Sequence, residues 1–415
     1  MKLLIFPQYA YPANHAVVNQ VYEQLLPARG HEVHMIRPME GLVAPAFVDP
    51  VWRGGSMVAY PDEPVGNPFG NFARLLRKRR WIRESIRKLE GTPLDAILVR
   101  NDLTSAFAAA REARRRSIPF VYQISSPDAE FMVSRGQDAS GVGGLYRRLR
   151  GRAGRAMRRS ASRRADAVLA ISDAMREYLA QTDGLNPARI FSFPMGVPEG
   201  TRAGREQIES LRRRLDLPAG KTIVYCGTLD PVRQPDWMID VLSLVRERVA
   251  GAVLLVVTYQ TDERRRAFEE EVRRRGADVR VVGPVAFSDV DMYLRCGDVM
   301  ISPWPPRPEH WMASPTKSLE GLRAGLPVVG SVDVAEHQSL LEASGGGMTV
   351  PWNRAAFAAA IAGLLEDPEQ RRAMGARGAQ WVVTHRAYPR LTEHLERILM
   401  AAGSIASLLE LANSP

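Results

Sequence analysis

The residues of this sequence best suited to chemistry stand in Ser314-Pro315-Thr316-Lys317-Ser318-Leu319-Glu320. Gly321-Leu322-Arg323-Ala324-Gly325-Leu326-Pro327-Val328-Val329-Gly330 follows. The pattern predicts a turn, a helix of about two turns, a Gly-Leu-Pro break and an apolar strand start. A helix N-terminus presents free N–H groups and partial positive charge, which suit a phosphate. Lys317 adds a full charge, and charge-assisted contacts to phosphate oxygens are among the stronger polar contacts. Glu320 shares its helix face, because residues three apart are neighbours there. A carboxylate at that point can accept hydrogen bonds from two adjacent sugar hydroxyls. Phosphate and ribose on one face read as a nucleotide-diphosphate site built from Ser314, Pro315, Thr316, Lys317, Leu319 and Glu320.

The elements that must position this site come next. Val299-Met300-Ile301-Ser302-Pro303-Trp304 predicts the strand before the loop. Strand, loop, helix and strand form one unit of a parallel sheet, whose ligands sit at the carboxyl edge. Lys221 to Leu229 predicts another strand, closed by Gly227, where a missing side chain lets a ligand approach the backbone. Arg233 follows six residues later, before a helix carrying Trp237, Met238, Val241 and Leu242. Further strands are expected at Lys2–Phe6, from His31, at Ala96–Arg100, Pro119–Ile124, Ala167–Asp173, Val253–Thr258 and Val279–Val285, with helices between. Alternating strands and helices predict α/β architecture. The polar linker Glu199–Glu206 places a boundary near Thr201. Gly41 to Asn71 is rich in Pro and Gly, lacks periodicity and reads as an irregular excursion.

Composition limits the function classes. A chain of 415 residues exceeds one ordinary core, so two domains are expected. Cys226 and Cys296 are the only cysteines, which argues against a disulfide framework and fits a reducing compartment. No apolar run approaches the ~20 residues that span a bilayer. The net charge of +10 suits anionic lipid, nucleic acid or anionic small molecules. No zinc-ligand spacing, RNA-binding aromatic motif or helix-turn-helix signal accompanies it, so no nucleic-acid partner is expected. No G-x-G-x-x-G follows Phe6, Val99 or Tyr225, which disfavours a dinucleotide enzyme.

Ser-Pro-Thr-Lys-x-x-Glu, with Gly325-Leu326-Pro327-Val328-Val329 behind it, resembles the donor-binding segment of retaining glycosyltransferases of family 4. The resemblance implies the GT-B fold: two doubly wound Rossmann-like domains facing each other across a cleft. It implies an N-terminal acceptor-binding domain at 1–200, a C-terminal nucleotide-sugar-binding domain at 201–385, and helices at 386–415 that cross back to the first. The activity implied is transfer of a sugar from a nucleotide-diphosphate donor to a hydroxyl acceptor, in a polysaccharide, glycolipid or natural product. Arg233 and Lys317 are the implied catalytic cations on the diphosphate. Gly227 and Thr228 join them at the donor, Thr228 standing where an arginine is common. Glu320 is implied to bind the ribose. Met312 occupies the place of the family's other glutamate.

Ala13-Asn14-His15 stands in place of the Gly-Gly pair usual in the first loop of the family. His15 is either an active-site residue or a solvated loop histidine. The histidine common after the Pro119–Ile124 strand is replaced by Ser125 and Ser126. Asp128 and Glu130 there either bind an acceptor hydroxyl or form a turn and N-cap. Trp304, His310 and Trp311 either stack on a sugar or lid the cleft, or simply pack a loop. No cofactor and no obligatory metal are expected, since no DxD-type acidic pair stands out as a metal site. The resemblance also allows the leaving phosphate to accept the acceptor's proton.

Arg147 to Arg164 is a basic block. Leu145, Leu149, Ala153, Met157 and Ala161 recur every four residues, predicting an apolar face packed inward with arginines outside. The block is either a solvated face or a dock for an anionic membrane surface, which fits a lipid-linked acceptor and a cytoplasmic protein peripheral at the inner membrane face. Two rival readings stand beside the transferase: a GT-B nucleotide-sugar epimerase, and a non-catalytic basic scaffold on membrane or nucleic acid.

Overall fold

The computed structural model describes residues 1–13, 15–63, 68–200, 203–260 and 262–413. The chain forms two compact units. Residues 1–194 with 388–415 make the first, and residues 195–387 the second.

The first unit is built on eight strands: β1 (Lys2–Phe6), β2 (Glu32–Met39), β3 (Ala46–Val48), β4 (Gly55–Pro61), β5 (Ala96–Arg100), β6 (Phe120–Ile124), β7 (Ala167–Ala170) and β8 (Ile190–Ser192). Their order is β3-β4-β2-β1-β5-β6-β7-β8. All pairs are parallel except β3 with β4. The central strands are buried along their length, as strands covered by helices on both faces must be. Helix Tyr388–Ala401 belongs to this unit. Its Glu396 accepts from Arg29 Nε at 2.8 Å and pairs with His31 Nε2 at 2.7 Å.

Two expectations fail here. Gly41 to Asn71 is not irregular throughout, because it contains β3 and β4. β4 pairs with β2 over seven residues, from Val33↔Gly55 to Met39↔Pro61. Its glycines sit at the entry: Gly54 has φ +78°, and a Cβ on Gly55 would meet the Val33 carbonyl oxygen at 1.9 Å. The Gly and Pro that suggested loop therefore mark the strand's ends, around the buried run Met57 to Tyr60.

The stripe on helix Gly141–Ser162 is also turned the other way. Leu145, Leu149 and Met157 are 50%, 53% and 42% exposed, while Gly144, Gly151, Arg158, Ala161 and Ser162 are buried. The cause is close packing on helix Asp128–Gln137. A Cβ on Gly151 would lie 2.6 Å from Val133 Cγ2 and 2.8 Å from the Ala129 oxygen. Only a glycine face can approach that closely, so the larger apolar residues point outward.

The second unit holds six parallel strands: β9 (Thr222–Cys226), β10 (Val253–Val257), β11 (Val279–Val282), β12 (Val299–Ser302), β13 (Val328–Ser331) and β14 (Gly347–Val350). Their order is β11-β10-β9-β12-β13-β14. Helices Asp236–Arg248 and Arg354–Glu366 pack on this sheet around Trp237, which stacks on Trp352 at 4.1 Å and meets Phe357 edge-on. Cys226 and Cys296 are buried free thiols. No described helix is long and apolar enough to cross a membrane.

Candidate active site

In the second unit the carboxyl ends of β9 and β12 bring four expected residues together. β9 ends at Cys226, so Gly227 leaves the sheet with φ +153°. A Cβ there would lie 2.0 Å from Lys317 Cε and 2.7 Å from Nζ. The room that glycine provides is thus filled by the Lys317 side chain rather than left open for a ligand. Lys317 Nζ lies 5.6 Å from the Tyr225 ring and 5.7 Å from the Trp304 ring. Tyr225 is fixed by donating its hydroxyl to the Thr228 carbonyl at 2.7 Å.

Arg233 ends the short turn Pro231–Arg233, and its guanidinium stacks on Trp304 at 3.6 Å. A cation over an indole face at that distance is a favourable pairing. Its Nη1 is buried without a hydrogen-bond partner. Among the described residues neither Arg233 nor Lys317 is paired with a carboxylate. Asp230 and Glu320 act on these cations only at longer range than an ion pair, and two cations without a directly paired anion suit a site that receives one. Burial, and then Arg233, lower Lys317 to about 8. Burial pushes Glu320 up to about 7, against the opposing pull of Lys317 and Arg323. Both side chains keep part of their surface open, but their charged ends are enclosed by protein.

The helix behind this site, Thr316–Arg323, departs from expectation. Its first amides are largely taken. Thr316 N–H donates to the Ser314 carbonyl, and Ser318 and Leu319 N–H donate to Pro315, at 3.0, 3.0 and 3.3 Å. Ser314 Oγ accepts from Met195 N–H at 3.1 Å, and the Leu319 side chain is wholly buried. Charge at this site therefore comes mainly from side chains rather than from open helix amides.

His310 is buried edge-on against Trp304, with ring centroids 4.9 Å apart. It donates through Nδ1 to the Pro305 carbonyl at 2.8 Å, and burial holds its pKa near 4. Trp304 and His310 thus support Arg233. Trp311 is 47% exposed, apart from that stack.

A second cluster lies in the first unit, at the carboxyl ends of β5 and β6. Arg100 is 2% exposed, and two of its guanidinium N–H positions have no partner. Its Nη2 donates to His15 Nε2 at 3.2 Å, and His15 stacks on Tyr9 at 4.5 Å. An arginine can only donate, so Nε2 is the unprotonated nitrogen and Nδ1 carries the hydrogen. That Nδ1 has no partner. Burial and Arg100 lower His15 to about 3, so it is a neutral donor and a poor base. Nothing in the sequence marked Arg100 beyond one charge at the end of an apolar strand.

Asn101, at φ +56°, donates to Gln8 and Ser125 and accepts from the Ser125 amide, each at 2.7 Å. Ser126 donates to exposed Asp128 at 2.5 Å. Glu130 is not available to an acceptor. It is buried, accepts from Arg158 at 2.9 Å through both oxygens, and accepts from Arg155 and Tyr178. Burial alone would raise its pKa, but Arg158 and these hydrogen bonds hold it below the ordinary value. Asn14 lies outside the described residues.

Comparison with known proteins settles the family. Residues 20–200 match the model described as Glycosyltransferase Family 4, and residues 220–367 match Glycosyl transferases group 1. The chain belongs to the family 4, group 1 glycosyltransferases. The chain is 28% identical over 234 residues to D-inositol 3-phosphate glycosyltransferase from Kineococcus radiotolerans, across 52% of this chain and 53% of that one. It therefore spans about half the length of that curated relative in the match. Its fold is similar to sucrose-phosphate synthase from Thermosynechococcus elongatus: TM-score 0.73, 15% identity, 96% of this chain and 98% of the other. It is also similar to Anabaena HepE in complex with UDP-glucose: TM-score 0.69, 15% identity, 96% and 99%. At such identities the likeness shows the GT-B fold.

Proposed function

We propose that this glycosyltransferase moves a sugar from a nucleotide-diphosphate donor to a hydroxyl acceptor with retention of anomeric configuration. The observation that carries the reading is the pair of cations, Lys317 beside Gly227 and Arg233 on the face of Trp304, neither in an ion pair with a carboxylate among the described residues. A nucleoside diphosphate supplies the missing negative charge. As the bond between the sugar's anomeric carbon and the phosphate oxygen breaks, charge builds on the leaving diphosphate, and fixed cations stabilise it. Glu320, one turn along, accepts from the ribose hydroxyls.

The acceptor oxygen bonds to the anomeric carbon on the face the phosphate leaves. The acceptor proton passes to the leaving phosphate oxygen. His15 is not its destination, since a group titrating near 3 is too weak a base at neutral pH. No obligatory metal is proposed, because the two side-chain cations already face the diphosphate. UDP is the first nucleotide to try, on the strength of the UDP complexes of the similar HepE fold. Two buried free thiols support a reducing, cytoplasmic setting. The exposed apolar and basic face of helix Gly141–Ser162 supports docking on an anionic membrane surface.

The test offers UDP-, GDP-, dTDP- and ADP-sugars with a panel of hydroxyl acceptors, and follows the anomeric proton by NMR. A glycoside with the donor's configuration is expected. An inverted product would overturn retention, and free sugar without any glycoside would favour the epimerase reading.

A further inference from the structure

The first unit contains a cavity of about 540 Å³ outside the carboxyl ends of β5 and β6. That volume lies within the range of small-molecule sites, and the sheet edge is where α/β proteins bind ligands. Its walls are helices Asp128–Gln137 and Gly141–Ser162, whose close glycine packing fixes the shape.

The lining divides into three chemistries. Leu103, Tyr122, Ile124, Phe131 and Met132 form an apolar wall. Ser126 and Asp128 stand on the strand-end side, and the Asp128 carboxylate can accept from a ligand hydroxyl as it does from Ser126. Arg135 and Arg150 form the third group. Both are exposed, and among the described residues neither is paired with a carboxylate. Arg158, which also reaches the cavity, is neutralised by Glu130 and Asp183 and contributes no spare charge. The cavity therefore has one carboxylate against two uncommitted guanidinium groups.

We infer that this cavity seats an amphiphilic acceptor, with an apolar body against Phe131 and Met132 and an anionic group, phosphate above all, on Arg135 and Arg150. A guanidinium pair matches phosphate oxygens in geometry as well as charge. The acceptor's nucleophilic hydroxyl then lies towards Asp128. The inference rests on the glycosyltransferase reading and names its acceptor class.

The experiment is calorimetric titration with hexyl phosphate, hexan-1-ol and inorganic phosphate, on wild type and on R135Q/R150Q. Hexyl phosphate should bind wild type about tenfold or more tightly than either partial ligand, and the double variant should lose about tenfold for hexyl phosphate alone. Phenyl phosphate binding more tightly than hexyl phosphate would identify a soluble aromatic acceptor, and the reverse order a lipid phosphate; either supports the inference. No binding of hexyl phosphate, equal binding of hexanol, or an unchanged double variant would overturn it. Both arginines are exposed, so the variant should keep the wild-type melting temperature. UDP binding to the same samples separates the two readings: intact UDP binding without hexyl phosphate binding removes the acceptor inference alone.

Discussion

At the residue scale, the site is a problem of unpaired charge. Lys317 and Glu320 lie one turn apart, and burial draws their titrations towards neutrality from opposite sides. A buried cation held near its own titration point should make donor binding pH-dependent. Lys317 titrates near 8 in the free protein, and a bound diphosphate raises that value. The Lys317 contribution to diphosphate affinity should therefore be full below pH 8. It should fall up to about tenfold per unit as pH rises from 8 towards the bound-state value. Titrations between pH 8 and 9.5, above the titration of Glu320 near 7, should show this for wild type, and a flat profile for Lys317→Arg. A flat wild-type profile would remove Lys317 from the diphosphate. Spacing alone made Lys317 and Glu320 readable in the sequence. It could not show that Lys317 fills the space beside Gly227, nor that Arg233 lies on Trp304, because these contacts join distant segments. Glu130 was misread for the same reason, since its partners Arg158 and Tyr178 are far along the chain.

At the scale of elements, helix Gly141–Ser162 shows where periodicity misleads. Its four-residue stripe of Leu145, Leu149 and Met157 looks like a core face, yet the buried face is the one bearing Gly144 and Gly151. A period names a face but not which side of it the protein covers. The consequence is an exposed helix surface on which Val142, Leu145, Tyr146 and Leu149 stand among Arg147, Arg150 and Arg152. Arginines at an anionic surface contribute up to ~1 kcal/mol each, and each inserted leucine adds roughly 1.5–3 kcal/mol. Wild type should co-sediment with phosphatidylserine vesicles at low salt. L145S/L149S should bind about tenfold or more weakly with an unchanged melting temperature. Absence of wild-type binding, or an indifferent variant, would leave the helix as a solvated face. β4 was missed for a related reason: its glycines were read as loop, when one of them is needed for close approach to Val33.

At the scale of the whole molecule, the α/β alternation and the two parallel sheets were legible because fully buried strands are continuous apolar runs. The family was legible because its donor segment is compact in sequence, from Ser314 to Gly330. The acceptor side was not. The residues of the cavity inferred to seat the acceptor come from the ends of β5 and β6 and from two later helices, and no short motif joins them. Lys317 and Arg233 are proposed to form the diphosphate site. The most direct test is a thermal-shift titration of wild type and Lys317→Ala against UDP, GDP, dTDP and ADP. One diphosphate should raise the melting temperature of wild type and leave Lys317→Ala unmoved. No shift of wild type with any of the four, or equal shifts in both proteins, would take the diphosphate away from Lys317.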